Sequence, residues 1–294
     1  GDNNFYDLIG GITSDGEFLY VVDRDNHNVP VHVMTEMGVP LGSLAPYDDS
    51  PPTGGRLRAP VNIATDGMGR VYVSEEYYGR VQCFERQPDG SHTYVWAQFT
   101  SDEASSKATG ICVSDGLVFV VNRSQRRIYV YDADDGTVIR SFDARVPTDW
   151  NQYPRSIEPI SDSKVIVSYT SSPGTTQMLM LWDYEGNDLA SIDFQAPASC
   201  GAGDISVFQD RFLFVRTVNG GGDGAPRVYV FDLEGNQLLE SIAFDCEEWD
   251  LNGIATSASG RVYFEYLNGS TPLVWVVNPC SADAHSWSVT ATHV

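Results

Sequence analysis

Val61-Asn62-Ile63-Ala64-Thr65-Asp66-Gly67-Met68-Gly69-Arg70-Val71-Tyr72-Val73-Ser74 is the stretch that decides the fold. A short apolar strand runs into an Asp-Gly turn, whose residues tolerate positive φ, and returns as an alternating β-branched strand. The same order recurs on both sides. Gly11-Ile12 is followed by Leu19-Tyr20-Val21, Gly110-Ile111 by Val118-Phe119-Val120, and Ser156-Ile157 by Val165-Ile166-Val167. Asp204-Ile205 is followed by Phe212-Leu213-Phe214, and Gly253-Ile254 by Val262-Tyr263-Phe264. From Ile12 through Ile63, Ile111, Ile157 and Ile205 to Ile254 the spacings are 51, 48, 46, 48 and 49 residues. A repeat of that length, built from several short strands, is the signature of a β-propeller.

Each unit carries two further strands. In the second, Arg80–Glu85 and Thr93–Phe99 flank the turn Pro88-Asp89-Gly90, with aromatics on alternate sites of the last strand. Third strands recur as Val31–Met34, Arg127–Asp132, Met178–Asp183, Arg227–Asp232 and Leu273–Val277, and no helical periodicity competes. The expectation is an all-β, six-bladed β-propeller with four antiparallel strands per blade. One domain takes the whole of 1–294, with blades near 6–46, 58–100, 107–143, 153–195, 201–245 and 250–294. Closure is expected from a last strand near Ser286–Thr292 completing the sixth blade, the alternative being an outer strand from Asn4–Tyr6.

With 18 basic and 40 acidic residues the formal net charge is −22. Phosphate backbones demand clustered Lys and Arg, so nucleic acid is excluded as the expected partner. No apolar run reaches the ~20 residues of a membrane-spanning helix. The expected setting is extracellular, periplasmic or cell-surface, with a signal peptide already removed. Of the five cysteines, Cys200 and Cys246 precede neighbouring first strands, where a disulfide is geometrically possible. Cys83 and Cys112 fall inside strand patterns and read as buried thiols.

The units resemble the NHL-repeat propellers. The resemblance rests on Arg58–Glu75 continued by Gly79–Phe84, and on Thr109–Asn122 continued by Arg126–Asp132. It implies the fold and leaves activity open, since such propellers serve as enzymes, ligand binders and interaction platforms.

Propeller geometry brings the loops entering first strands and the loops between second and third strands onto one face. Arg58, Tyr153, Arg155, Asp204, Trp249 and Asn252 are the candidate ligand contacts there. The rim they form, with loops such as Glu75–Tyr78 and Asn122–Gln125, suits a small polar ligand, a carbohydrate, a peptide or a protein partner. A second reading is a Ca²⁺-dependent hydrolase of lactonase or esterase type. Asn62, Asp204 and Asn252 supply the oxygen ligands that Ca²⁺ prefers, and Asp204 doubles as the general base. That arrangement is similar to the gluconolactonase-like calcium propellers, and Leu251–Ala255 is similar to their Asn-bearing motif; their entry glutamate is missing, with only Asp7 in that region. A His-rich zinc site is not assembled: His27 alone falls on the loop face, and His32 and His92 sit in a third strand and near an opposite turn. The tract Asp48–Gly55 is either a binding arm or the insertion that lengthens the first spacing. The leading expectation is a binding module rather than an enzyme.

Overall fold

The computed structural model describes residues 11–24, 28–48, 54–101, 106–146, 152–170, 178–193, 201–218, 227–234, 236–243, 251–257, 260–268, 271–279 and 287–289. The described strands form six four-stranded antiparallel sheets, each made of four consecutive strands. The first holds β1 (Ile12–Ser14), β2 (Phe18–Val22), β3 (Val31–Thr35) and β4 (Pro40–Ser43). The second holds β5 (Pro60–Thr65), β6 (Arg70–Glu75), β7 (Arg80–Arg86) and β8 (His92–Phe99). The third is β9 (Ala108–Ser114), β10 (Leu117–Asn122), β11 (Arg127–Asp132) and β12 (Val138–Asp143). The fourth is β13 (Tyr153–Ile160), β14 (Lys164–Thr170), β15 (Met178–Asp183) and β16 (Asp188–Asp193). The fifth is β17 (Gly201–Phe208), β18 (Phe212–Val218), β19 (Arg227–Phe231) and β20 (Gln237–Ala243). The sixth is β21 (Leu251–Thr256), β22 (Val262–Asn268), β23 (Thr271–Pro279) and β24 (Trp287–Val289).

First strands neighbour one another in a closed cycle: β1 on β5, β5 on β9, β9 on β13, β13 on β17, β17 on β21, and β21 back on β1. This is a β-propeller with the first strands around its axis. Entries to first strands and the second-to-third loops share one end, here the upper end. The first-to-second and third-to-fourth turns share the lower end. β24 pairs antiparallel with β23, so the C-terminal segment completes its own sheet. Asn4–Tyr6 lies outside the described residues. The seam between last and first sheets carries an ion pair, Arg261 Nη1 to Glu36 Oε2 at 3.1 Å, and Ser14 Oγ donates to Glu36 Oε1 at 2.6 Å.

The core consists of apolar layers between sheets. Tyr20, Val22 and Val31 meet Ile63, Val71, Val73 and Phe84 between the first two. Tyr72, Val81 and Trp96 meet Ile111, Val118 and Tyr131 at the next seam. Fully burying each such side chain contributes about 1.5–3 kcal/mol.

Register corrects one detail of the repeat. Ile12, Ile63, Ile111, Ile157 and Ile254 pair with Val21, Val73, Val120, Val167 and Phe264, and Ile205 pairs with Val215. The tripeptide equivalent to the others is therefore Leu213-Phe214-Val215, one residue beyond Phe212-Leu213-Phe214. The continuous apolar run Phe212–Val215 hid the slip, because a one-residue shift still reads as strand.

Where β5 and β13 enter the ladder, the register shifts between Pro60 and Asn62 and between Pro154 and Ile157. Such a bulge removes a backbone N–H from regular pairing, and a second-strand serine replaces the partner. Ser74 Oγ accepts from the Asn62 N–H at 3.2 Å and donates to the Thr109 carbonyl of the next sheet. Ser168 Oγ accepts from the Ser156 N–H at 3.1 Å and donates to the Gly203 carbonyl at 2.8 Å. One hydroxyl thus satisfies a bulge and ties two blades. Ser74→Ala and Ser168→Ala are each expected to cost about 1–3 kcal/mol, because two buried backbone groups lose their partner. Urea unfolding would show a lowered midpoint at unchanged slope, with nearly additive losses in the double variant.

Candidate functional site

The upper rim of the second to fourth blades is built on a buried ion pair. Glu75 ends β6 and Arg80 begins β7; both side chains are buried, and Arg80 Nε donates to Glu75 Oε2 while Arg80 Nη2 reaches Oε1 at 3.1 Å. Burial pushes the Glu75 carboxyl up, and Arg80, the Arg58 N–H and Gln82 oppose it. An unpaired charge here would cost several kcal/mol, so the pair recruits more partners. The Arg58 N–H donates to Glu75 Oε1 at 2.6 Å, and Arg80 Nη2 donates to the Arg56 carbonyl at 2.8 Å. Gln82 Nε2 donates to that carbonyl and to Glu75 Oε2, and the Gly55 N–H donates to Gln82 Oε1 at 2.9 Å. Arg80 Nη2 also lies 3.6 Å from Asp48 Oδ2. The described ends of the Asp48–Gly55 tract are therefore clamped to the second blade; residues 49–53 lie outside the described residues.

This clamp holds Arg58 in place. Its guanidinium lies 3.9 Å from the Tyr77 ring centroid, and Nη1 donates to the Tyr78 hydroxyl at 3.3 Å. Tyr77 is 56% exposed. Beside it, buried Glu76 receives Arg24 Nη2 at 2.5 Å and Lys107 Nζ at 2.6 Å, joining loops of the first three blades. One blade further, Arg126 lies 4.2 Å and Arg123 5.8 Å from the centroid of Tyr153, which is 37% exposed. Arginine stacked on exposed tyrosine recurs twice on this rim.

Of the ligand contacts expected from the sequence, Arg58 and Tyr153 stand on this rim. Arg155 does not: it lies within β13 and is only 4% exposed. Asn252 lies within β21, and only its backbone is described. Trp249, Cys200, Cys246 and His27 lie outside the described residues. Cys83 and Cys112 are buried free thiols. His32, in β3, places Nε2 at 3.1 Å from Asp23 Oδ2. Tyr77 belongs to a loop that the sequence places on the rim, whereas Arg126 does not stand out as a contact. Its signal was Arg126-Arg127, a basic pair ahead of a third strand.

A second feature lies on the axis. A cavity of about 180 Å³ is lined by first-strand residues, among them Asn62, Asp204, Thr13, Cys112, Glu158, Ser206 and Thr256. Asp204 is a strut between blades: Oδ1 accepts from Ser156 Oγ at 2.6 Å, and Oδ2 accepts from the Ile254 N–H at 3.1 Å. Asn62 Oδ1 accepts from the Ile63 N–H at 2.8 Å. Asp204 thus ties three first strands together, whereas the Asn62 oxygen bonds to its own neighbour on β5. No group of three His, Cys, Asp or Glu side chains suited to a metal occurs among the described residues.

Glu158 is the channel residue that sequence reading missed. It follows Ser156-Ile157 where the other units place Thr13, Ala64, Cys112, Ser206 and Ala255, so its acidity is visible once the repeats are aligned. It is half-buried and lines the cavity. Burial, and then the charge of Asp204, push its carboxyl well above the usual range, opposed by the Val207 N–H. The folded chain therefore holds a proton that the unfolded chain releases near pH ~4.3. Glu158 stabilises fully below that pH, and its contribution is lost as pH rises toward the folded pKa, by at most about 1.4 kcal/mol per unit. Glu158→Gln, which keeps the neutral shape, is expected to exceed wild type in stability at neutral pH. The gap should close near pH ~4, as read by urea midpoints at both pH values.

No family model and no curated protein matches this sequence. Solved structures match it in fold. A chain of a nidogen/laminin complex superposes with TM-score 0.59 at 13% identity, covering 85% of this chain and 84% of that chain. A protein from Lactobacillus plantarum gives TM-score 0.62 at 16% identity, covering 96% and 83%. A putative 6-phosphogluconolactonase from Bacteroides uniformis gives TM-score 0.61 at 14% identity, covering 96% and 83%. At such identities the likeness concerns the β-propeller fold alone.

Proposed function

We propose that this chain is a secreted or cell-surface, NHL-like, six-bladed propeller that binds a ligand or protein partner through its upper rim. The observation that carries the reading is the pair of arginine–tyrosine stacks, Arg58 on Tyr77 and Arg126 on Tyr153. Tyrosine and arginine are enriched at binding hot spots, and tyrosine offers a large, stiff contact at little entropic cost. Arg58 is held from beneath by the Glu75–Arg80 clamp and Arg126 lies over the Tyr153 ring, so less ordering of these heads remains for a partner to impose. The nidogen/laminin structure, in which a propeller neighbour takes part in a protein complex, agrees with this reading. The calcium-hydrolase reading has less support, because both Asp204 carboxylate oxygens accept hydrogen bonds that tie first strands together.

Selection of peptides from a random display library against the immobilised propeller tests the site. Winning peptides are expected to lose roughly tenfold or more in affinity for an Arg58→Ala/Tyr153→Ala double variant, the loss typical of a hot-spot pair. They should bind Lys164→Ala, changed at the lower end, as well as wild type. Winners indifferent to the double variant would refute the choice of face.

A further inference from the structure

We propose that the partner presents an acidic peptide segment whose carboxylates seat on Arg58 and Arg126. This inference rests on the binding reading above and names the chemistry of its partner.

The distribution of ion pairs carries it. Acids outnumber bases 40 to 18 in this chain, so a surface arginine has carboxylates within easy reach. At the lower end, Arg70 pairs with Asp134, Arg86 with Asp15, Arg140 with Glu185, Lys164 with Asp162 and Arg261 with Glu36. Arg56, Arg58, Arg126 and Arg127 are different: among the described residues none has a carboxylate at ion-pair distance. Their polar contacts are carbonyls and hydroxyls, namely the Tyr47 carbonyl for Arg56, the Tyr78 hydroxyl for Arg58, and Ser141 for Arg127. All four lie at the upper end of the second and third blades. Among the described residues these four arginines lie together on the rim that also exposes Tyr77 and Tyr153, where Arg24, Arg80 and Lys107 are paired with Glu76 and Glu75.

Stacking gives these arginines a specific chemistry. A guanidinium lying over a ring keeps its plane fixed and its N–H edge available, which suits a planar carboxylate in bidentate contact. Lysine offers no such plane. The net charge narrows the partner further. A chain of −22 repels a densely charged polyanion over a Debye length of about 8 Å or more, and that repulsion grows with the partner's charge. A peptide with a few spaced carboxylates meets little of this repulsion. Sulfated glycans and nucleic acids fit the surface poorly for the same reason.

A fluorescein-labelled alternating glycine–glutamate octapeptide, followed by anisotropy, provides the test. It is expected to bind wild type and Lys164→Ala alike, and to weaken roughly tenfold with Arg58→Ala/Arg126→Ala. Arg58→Lys/Arg126→Lys, which keeps the charge and guards against an unfolded alanine variant, should also weaken it severalfold. Affinity should pass through a maximum as salt rises, since screening first relieves the global repulsion and then the local contacts. No binding of the acidic peptide, equal binding to the alanine variant, or preference for a glycine–lysine octapeptide, a heparin oligosaccharide or single-stranded DNA would overturn the proposal. Library peptides that require Arg58 and Tyr153 without acidic residues would overturn it while leaving the face intact. A library yielding no rim-dependent peptide would instead sink the binding reading itself.

Discussion

Six first strands have to converge on one axis, and that close approach governs everything else in this molecule. The residue before each repeated isoleucine decides whether it can happen. Gly110 has no side chain because a Cβ there would sit 2.5 Å from the Arg155 carbonyl oxygen of the next strand. A Cβ on Gly11 would meet Asn62 Oδ1 at 2.2 Å. At the same position, Ser156 and Asp204 bridge the gap with a hydrogen bond instead, and Asp204 reaches on to the Ile254 N–H. Glycine where strands touch and short polar residues where they stand apart give one continuous inner ring. The bulges beside it follow, and so do the serines that satisfy them.

The same ring explains what was legible in the sequence. Isoleucine spacing and β-branched tripeptides are dictated by packing between blades, so Ile63, Val71 and Val73 announced their roles. Asp204 also stood out, since an acid on an apolar first strand is rare. Its role did not, because whether a carboxylate catalyses, binds a metal or ties blades depends on neighbours far along the chain, Ser156 and Ile254. Glu158 was missed for a related reason: it sits past the isoleucine, where units vary between small and polar residues. Arg155 looked like a rim residue by position, yet strand β13 carries it inward.

The upper rim shows how function is added to such a scaffold without disturbing it. The buried pair Glu75–Arg80 lies in the second and third strands of the second blade, away from the axis. Its hydrogen bonds run to the backbone of Arg56, Arg58 and Gly55, directly and through Gln82, so the loop leading into β5 is fixed from beneath. Stacking on Tyr77 then orients the Arg58 head. Neither device was visible as a motif, since Glu75 reads as the start of a rim loop and Arg80 and Gln82 as ordinary polar residues of a third strand. Only their convergence under the long first connection gives them meaning.

The central claim is that the rim of the second to fourth blades, rather than the channel mouth or the lower turns, meets the partner. Amide hydrogen exchange with and without a bound rim-selected peptide addresses it most directly. Slower exchange is predicted at 76–80, 123–127 and 152–155, with the lower turns around Asp115, Asp162 and Asp210 unchanged. Protection confined to those lower turns, which surround the opposite end of the channel, would contradict the account.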